Sequence, residues 1–175
     1  MAVILARTYP DLYAAIGVHS GLPYAAAHDE ASAFAAMRGD SMRSDRQANS
    51  NRCVPTFAIH GDRDRIVHPK NMQRLFVEAL DGHDPQTLST TERRIDSRSG
   101  SRSCGQTVVR NVGGNLIFEQ WLVHGGGHAW FGGNARMRHA DPAGPSASEE
   151  MLRFLFEHEL NGQSSAESAS VRPMT

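Results

Sequence analysis

Apolar residues in this chain fall in short blocks separated by polar, glycine-bearing stretches. Ala15-Ile-Gly-Val-His19 and Val54–His60 are near-continuous apolar runs of strand length bounded by turn residues, the pattern of strands covered on both faces. Gln106–Val112 and Leu116–His124 flank Gly113-Gly-Asn115 and read as a β-hairpin. Asn71–Leu80 carries Met72, Leu75, Phe76, Ala79 and Leu80 on one stripe, which predicts an amphipathic helix. Further helices are expected at Met1–Thr8, closed by Tyr9-Pro10, and in Ala-rich Ala25–Arg38. The last helix opens at Ser146, where Glu149 completes a capping box, with Met151, Leu152, Leu155 and Phe156 as its buried face. Gly39–Arg52, Asp81–Ser103 and Gly125–Pro145 read as loops, the second including the low-complexity run 96–103. Alternating strands and helices predict an α/β fold, a mostly parallel sheet with flanking helices and a late hairpin. Residues 1–160 are expected to form one unit, and 161–175 a polar tail without fixed structure.

Composition narrows the partners. The 175 residues are 39% hydrophobic with a formal net charge of −1. The arginines are scattered and Lys70 is the only lysine, so nothing favours nucleic acid or an anionic membrane. No apolar run approaches the ~20 residues of a membrane span. Met1–Arg7 has no cationic stretch ahead of its apolar residues and does not read as a signal peptide. The two cysteines, Cys53 and Cys104, are expected at opposite ends of the strand Val54–His60. A strand of that length spans roughly 23 Å and bridged Cα atoms lie about 4.4–6.8 Å apart, so no disulfide is predicted.

Two segments carry candidate chemistry. In His60-Gly-Asp-Arg-Asp64 a strand ends in a turn that presents Asp64; in His124-Gly-Gly-Gly-His128 a strand ends in a glycine run that presents His128. Asp then His, each just past a strand end, matches the second and third members of a Ser…Asp…His triad. In that reading Asp64 holds the imidazole tautomer and His128 moves the proton. Asp62 competes with Asp64, and both also suit a turn. His124, His128, His139 and Asp141 could be read as metal ligands, but Gly125–Gly127 forbids the helix on which such spacing works best; no metal and no cofactor are expected. Trp130 suits a substrate-facing aromatic as well as a core residue. Ser20, in Gly17-Val-His-Ser-Gly21, is not a Gly-x-Ser-x-Gly elbow; it reads as a pocket-lining or turn residue. His19, His60 and His68 read as structural, His139 and His158 as surface residues. No Gly-x-Ser-x-Gly motif occurs in the chain.

Tyr9–Tyr24, Ser32–Arg38, Phe57–Pro69, Trp121–Trp130 and Asp141-Pro-x-Gly-Pro-x-Ala-Ser148 together resemble the esterase/poly(3-hydroxybutyrate) depolymerase family. The resemblance implies an α/β-hydrolase fold and a serine esterase acting on polyester or related esters, with Asp64 as the triad acid and His128 as the base. It implies an extracellular setting as well. In that family the Gly-x-Ser-x-Gly elbow runs into a helix similar to Met1–Thr8. The chain therefore reads as the C-terminal portion of such a domain, its partner being a missing N-terminal half that holds the serine and the oxyanion donors. On that reading the chain alone is inactive. A feruloyl- or acetylxylan-type esterase, and a non-catalytic remnant of the scaffold, are the alternatives.

Overall fold

A computed structural model describes residues 1–40, 53–96 and 100–160. Most of the expected loop Gly39–Arg52 and the tail 161–175 lie outside the described residues. Among the described residues seven strands and four α-helices follow in the order α1 (Ala2–Thr8), β1 (Ile16–His19), α2 (Glu30–Met37), β2 (Thr56–Gly61), α3 (Lys70–Leu80), β3 (Leu88–Ile95), β4 (Cys104–Asn111), β5 (Leu116–Val123), β6 (Trp130–Phe131), β7 (Ala140–Asp141) and α4 (Ala147–Phe156).

The main sheet has the order β1-β2-β5-β4-β3. β1, β2 and β5 are parallel, while β4 and β3 extend the sheet antiparallel beyond β5. β2 lies between two parallel neighbours and every one of its residues is buried, which explains its unbroken apolar sequence. Its side chains divide between the two faces. Phe57 and Ile59 join Trp121, Val123, Phe131 and Phe154 on the α4 side. Ala58 meets Met72, Ala79 and Phe118 on the α3 side. Val3 and Ala6 of α1 close the same face over Ile16, Val18 and Leu75.

Several local expectations change; the expected loop Gly125–Pro145, for one, holds β6 and β7. Asp81–Ser103 is not only loop: it contains β3, six of whose eight residues are exposed, so the strand carries no apolar alternation to read. The reciprocal capping box belongs to α2, where Asp29 accepts from the Ser32 N–H and the Ser32 side chain serves the Asp29 N–H. That cap starts the helix at Glu30, five residues later than expected. Ser146 stands at the N-cap of α4 but its side chain makes no capping bond. The buried face of α4 is Ala147 and Phe154, with Met151 partly covered; Leu152 and Phe156 are 51% and 83% exposed. The phase is set by Phe154 meeting Phe57 at 5.8 Å between ring centroids. His158 is tied down as well: its ring nitrogens lie 2.8 Å from the Phe154 carbonyl and 2.9 Å from that of Leu116. Cys53 and Cys104 are free thiols, and Cys104 pairs with Val123 at the far end of β5.

Candidate active site

Parallel strands bring the carboxyl ends of β1, β2 and β5 to one edge, where α/β sheets place their ligands. The loops leaving β2 and β5 are joined there main chain to main chain. The Asp62 N–H donates to the Val123 carbonyl at 3.1 Å, and the Arg63 N–H to the Gly126 carbonyl at 2.9 Å. So close an approach excludes a side chain: a Cβ on Gly61 would lie 2.3 Å from the Gly126 oxygen. Gly125 has φ +74°, the left-handed region that glycine enters at no cost.

The consequence is a matched pair of Asp–His contacts. Asp64 is 3% exposed. Its Oδ1 accepts from the Ile66 and Val67 N–H groups at 2.9 and 2.8 Å. Its Oδ2 lies 2.8 Å from His128 Nδ1 and 3.4 Å from His60 Nε2. Burial alone would raise the Asp64 pKa; the His128 ring and the two N–H donors outweigh it and hold the carboxyl below its ordinary range. His128 keeps 41% of its side chain exposed, and among the described residues its Nε2 has no hydrogen-bond partner. A carboxylate fixed on Nδ1 with Nε2 open is the arrangement in which an imidazole can take and return a proton.

Asp62 forms the second contact. Its Oδ2 lies 3.0 Å from His124 Nδ1 and its Oδ1 accepts the Gly125 N–H at 2.8 Å. It anchors the start of the His128 loop. The two histidines thus face separate carboxylates, and among the described residues no three His, Cys, Asp or Glu side chains are grouped to hold an ion.

Two more histidines support the site. His60 is 1% exposed and its Nε2 lies 2.7 Å from the Val67 carbonyl, which assigns the ring proton to that nitrogen. His19 accepts the Phe131 N–H on Nε2 at 3.1 Å and stacks on Trp130, with centroids 4.6 Å apart and an interplanar angle of 16°. Burial, followed by the nearby His60 and His128 rings, pushes the His19 pKa down to about 4. Trp130 shows 43% of its surface and donates from Nε1 to Ser148 Oγ at 3.2 Å. Ser20 ends β1 with φ +48°. Its N–H donates to the Ile59 carbonyl, and its buried hydroxyl has no partner among the described residues.

Glu119 is the functional-looking acid that sequence reasoning missed. It is 2% exposed inside β5 and accepts from Gln106 Nε2 at 2.6 Å and Trp121 Nε1 at 2.7 Å. Arg153 of α4 completes its shell. The available signal was one acid in the apolar run Leu116-Ile-Phe-Glu-Gln-Trp-Leu-Val123. Every oxygen contact is internal to the fold, so it locks α4 to the sheet.

Fold and site together define an α/β protein in which two adjacent parallel strands end in a contacting Asp and His. The chain belongs to the esterase PHB depolymerase family, whose model matches residues 1–107. That span includes Asp64 and ends before His128. No curated protein matches the chain. Among the described residues no helix is long and apolar enough to cross a membrane.

Proposed function

We propose that this chain supplies the acid and base of a Ser-His-Asp carboxylic-ester hydrolase that acts on poly(3-hydroxybutyrate) or a related polyester. The contact between Asp64 Oδ2 and His128 Nδ1 at 2.8 Å carries the reading. In the reaction a serine Oγ attacks the ester carbonyl while His128 Nε2 takes its proton. The same proton passes to the departing alkoxide, and water then releases the acid by the reverse sequence. Asp64 holds the tautomer with the proton on Nδ1 and stabilises the imidazolium. Trp130, exposed beside His19, offers an apolar face to the substrate, and Ser20 lines the floor at the end of β1. The serine and the oxyanion donors come from residues outside these 175, because the chain has no Gly-x-Ser-x-Gly turn.

The test is to assay p-nitrophenyl butyrate hydrolysis by the chain alone and by the chain extended with its in-frame upstream coding sequence. The extended protein is expected to turn over and to be blocked by an organophosphate, and the chain alone to be inert. Organophosphate-sensitive turnover by the chain alone, or an upstream frame without a Gly-x-Ser-x-Gly elbow, would refute the assignment.

A further inference from the structure

The loop that leaves β2 with Asp64 has a strut across it. His60 is a residue of β2, 1% exposed and in register with Leu122 of β5, so its backbone belongs to the fixed part of the sheet. Its ring reaches over the loop to Val67, where Nε2 lies 2.7 Å from the carbonyl oxygen. A carbonyl only accepts, so Nε2 carries the ring proton and donates it there. The other polar group of Val67 faces the acid. Its N–H donates to Asp64 Oδ1 at 2.8 Å, beside the Ile66 N–H at 2.9 Å. Val67 is therefore held twice, by His60 through its carbonyl and by Asp64 through its N–H.

This arrangement decides which way the carboxylate turns. Two N–H donors occupy Oδ1, and a carboxylate is planar, so pinning Oδ1 limits where Oδ2 can point. Oδ2 lies 2.8 Å from His128 Nδ1. His60 Nε2 comes within 3.4 Å of the same oxygen, beyond ordinary N–H···O bonding distance, and its one proton goes to Val67. That approach is not an ion pair either. Burial is the largest influence on the His60 ring and lowers its pKa, outweighing the Val67 carbonyl and Asp64, which raise it. The His128 and His68 rings nearby lower it further. A neutral His60 shapes the acid without competing for its charge.

We infer that His60 is a positioning residue for the proton-transfer pair: its ring bond to Val67 keeps Asp64 Oδ2 on His128 Nδ1. The inference deepens the esterase reading and rests on it for the reaction that the pair serves. His60 acts through Val67 and Asp64 rather than on a reacting atom. What it secures is the tautomer of His128, with the proton on Nδ1 and Nε2 bare. Without that donor the Val67 carbonyl must find another, and the turn that holds Oδ1 shifts with it.

The experiment reads the ring protonation of His128 in the chain itself at pH 8, by long-range ¹⁵N–¹H correlation of the histidine rings. It compares the wild type with His60→Gln, which keeps an N–H donor, and His60→Leu, which has none. The wild type is expected to hold the His128 proton on Nδ1 alone. His60→Gln should keep that state, and His60→Leu should lose it to a mixture of tautomers. A folded His60→Leu with the Nδ1 state intact overturns the inference, since the ring then only fills space. A His60→Gln as altered as His60→Leu overturns it too. If His60→Leu does not fold, His60→Gln and the wild type decide: loss of the Nδ1 state in His60→Gln overturns the inference, as does a wild-type His60 protonated on Nδ1 or titrating at or above 6.5. These readouts need no turnover. An extended enzyme that does not hydrolyse p-nitrophenyl butyrate refutes only the esterase reading, and hydrolysis with a His128 tautomer indifferent to His60 refutes this inference alone.

Discussion

Lowering the pH should loosen the loop that carries His128, through His19. This ring accepts the Phe131 N–H on Nε2 and lies flat on Trp130, so it works as a neutral base. Protonation removes the acceptor and places a cation near the His60 and His128 rings. Its pKa falls from 6.5 to about 4 in the fold. A depressed folded value means the unfolded chain binds the proton first. The stabilisation is therefore complete above pH 6.5 and is lost as the pH falls through about 4. Two and a half pKa units correspond to on the order of 3 kcal/mol in full, of which about 2 kcal/mol is gone by pH 5. That loss equals roughly 4–8 °C in Tm for a chain of this size. Urea unfolding of the wild type and His19→Asn at pH 7 and pH 5 isolates the effect from other titrating groups. The stability gap between them should narrow by about 2 kcal/mol at the lower pH. A gap that does not change with pH, or a His19 ring titrating by NMR between pH 6 and 7, refutes the reasoning.

In the extended enzyme Asp64→Asn should lower kcat by on the order of 10⁴ through the wrong imidazole tautomer, while Asp62→Asn costs far less; the reverse ranking in steady-state assays would exchange their roles. Gly61→Ala forces a Cβ to within 2.3 Å of a backbone oxygen that cannot turn aside. It should cost about 1–3 kcal/mol or more by urea unfolding and abolish the low-field Nδ1 proton resonance of His128. Glu119→Ala strips the acceptor from Gln106 and Trp121 and should cost roughly 2–4 kcal/mol by the same measurement, with Arg153 freed from its hold on β5.

What could be read from residues alone followed local periodicity. The α3 stripe holds because Met72, Leu75 and Ala79 are buried at helical spacing, and β2 holds because an apolar run in an α/β chain has few other uses. Asp64 and His128 stand out in the sequence as titratable residues past two strand ends. Asp62 and His124, however, stand nearer those ends and pair with each other, and only the folded chain shows which acid meets which imidazole. β3 was not legible, since a strand exposed along both faces leaves Thr, Glu and Arg free to occupy it. The face of α4 was misread because Leu152 and Phe156 are as apolar as Phe154, and only the position of Phe57 decides which of them turns inward. The partners of His19 and Glu119 lay beyond local pattern, although Glu119 itself stood out as the one acid in an apolar run. These partners are 112 residues away at Phe131 and 34 residues away at Arg153, and only the folded chain brings them together.

The two rims of the main sheet are chemically unlike. One rim is β3, whose Thr90, Thr91, Glu92, Arg93 and Arg94 all stand in solvent, and charged side chains of this kind deter another strand from docking. The other rim is β1, four residues long, with Ile16 and Val18 buried and parallel pairing already set by β2. Growth of the sheet therefore has a direction. A strand joining from elsewhere in the same protein, or from a neighbouring molecule, meets repulsion at one rim and an apolar, hydrogen-bond-ready template at the other. At that rim it would bring its own carboxyl end alongside the edge where Asp64 and His128 meet.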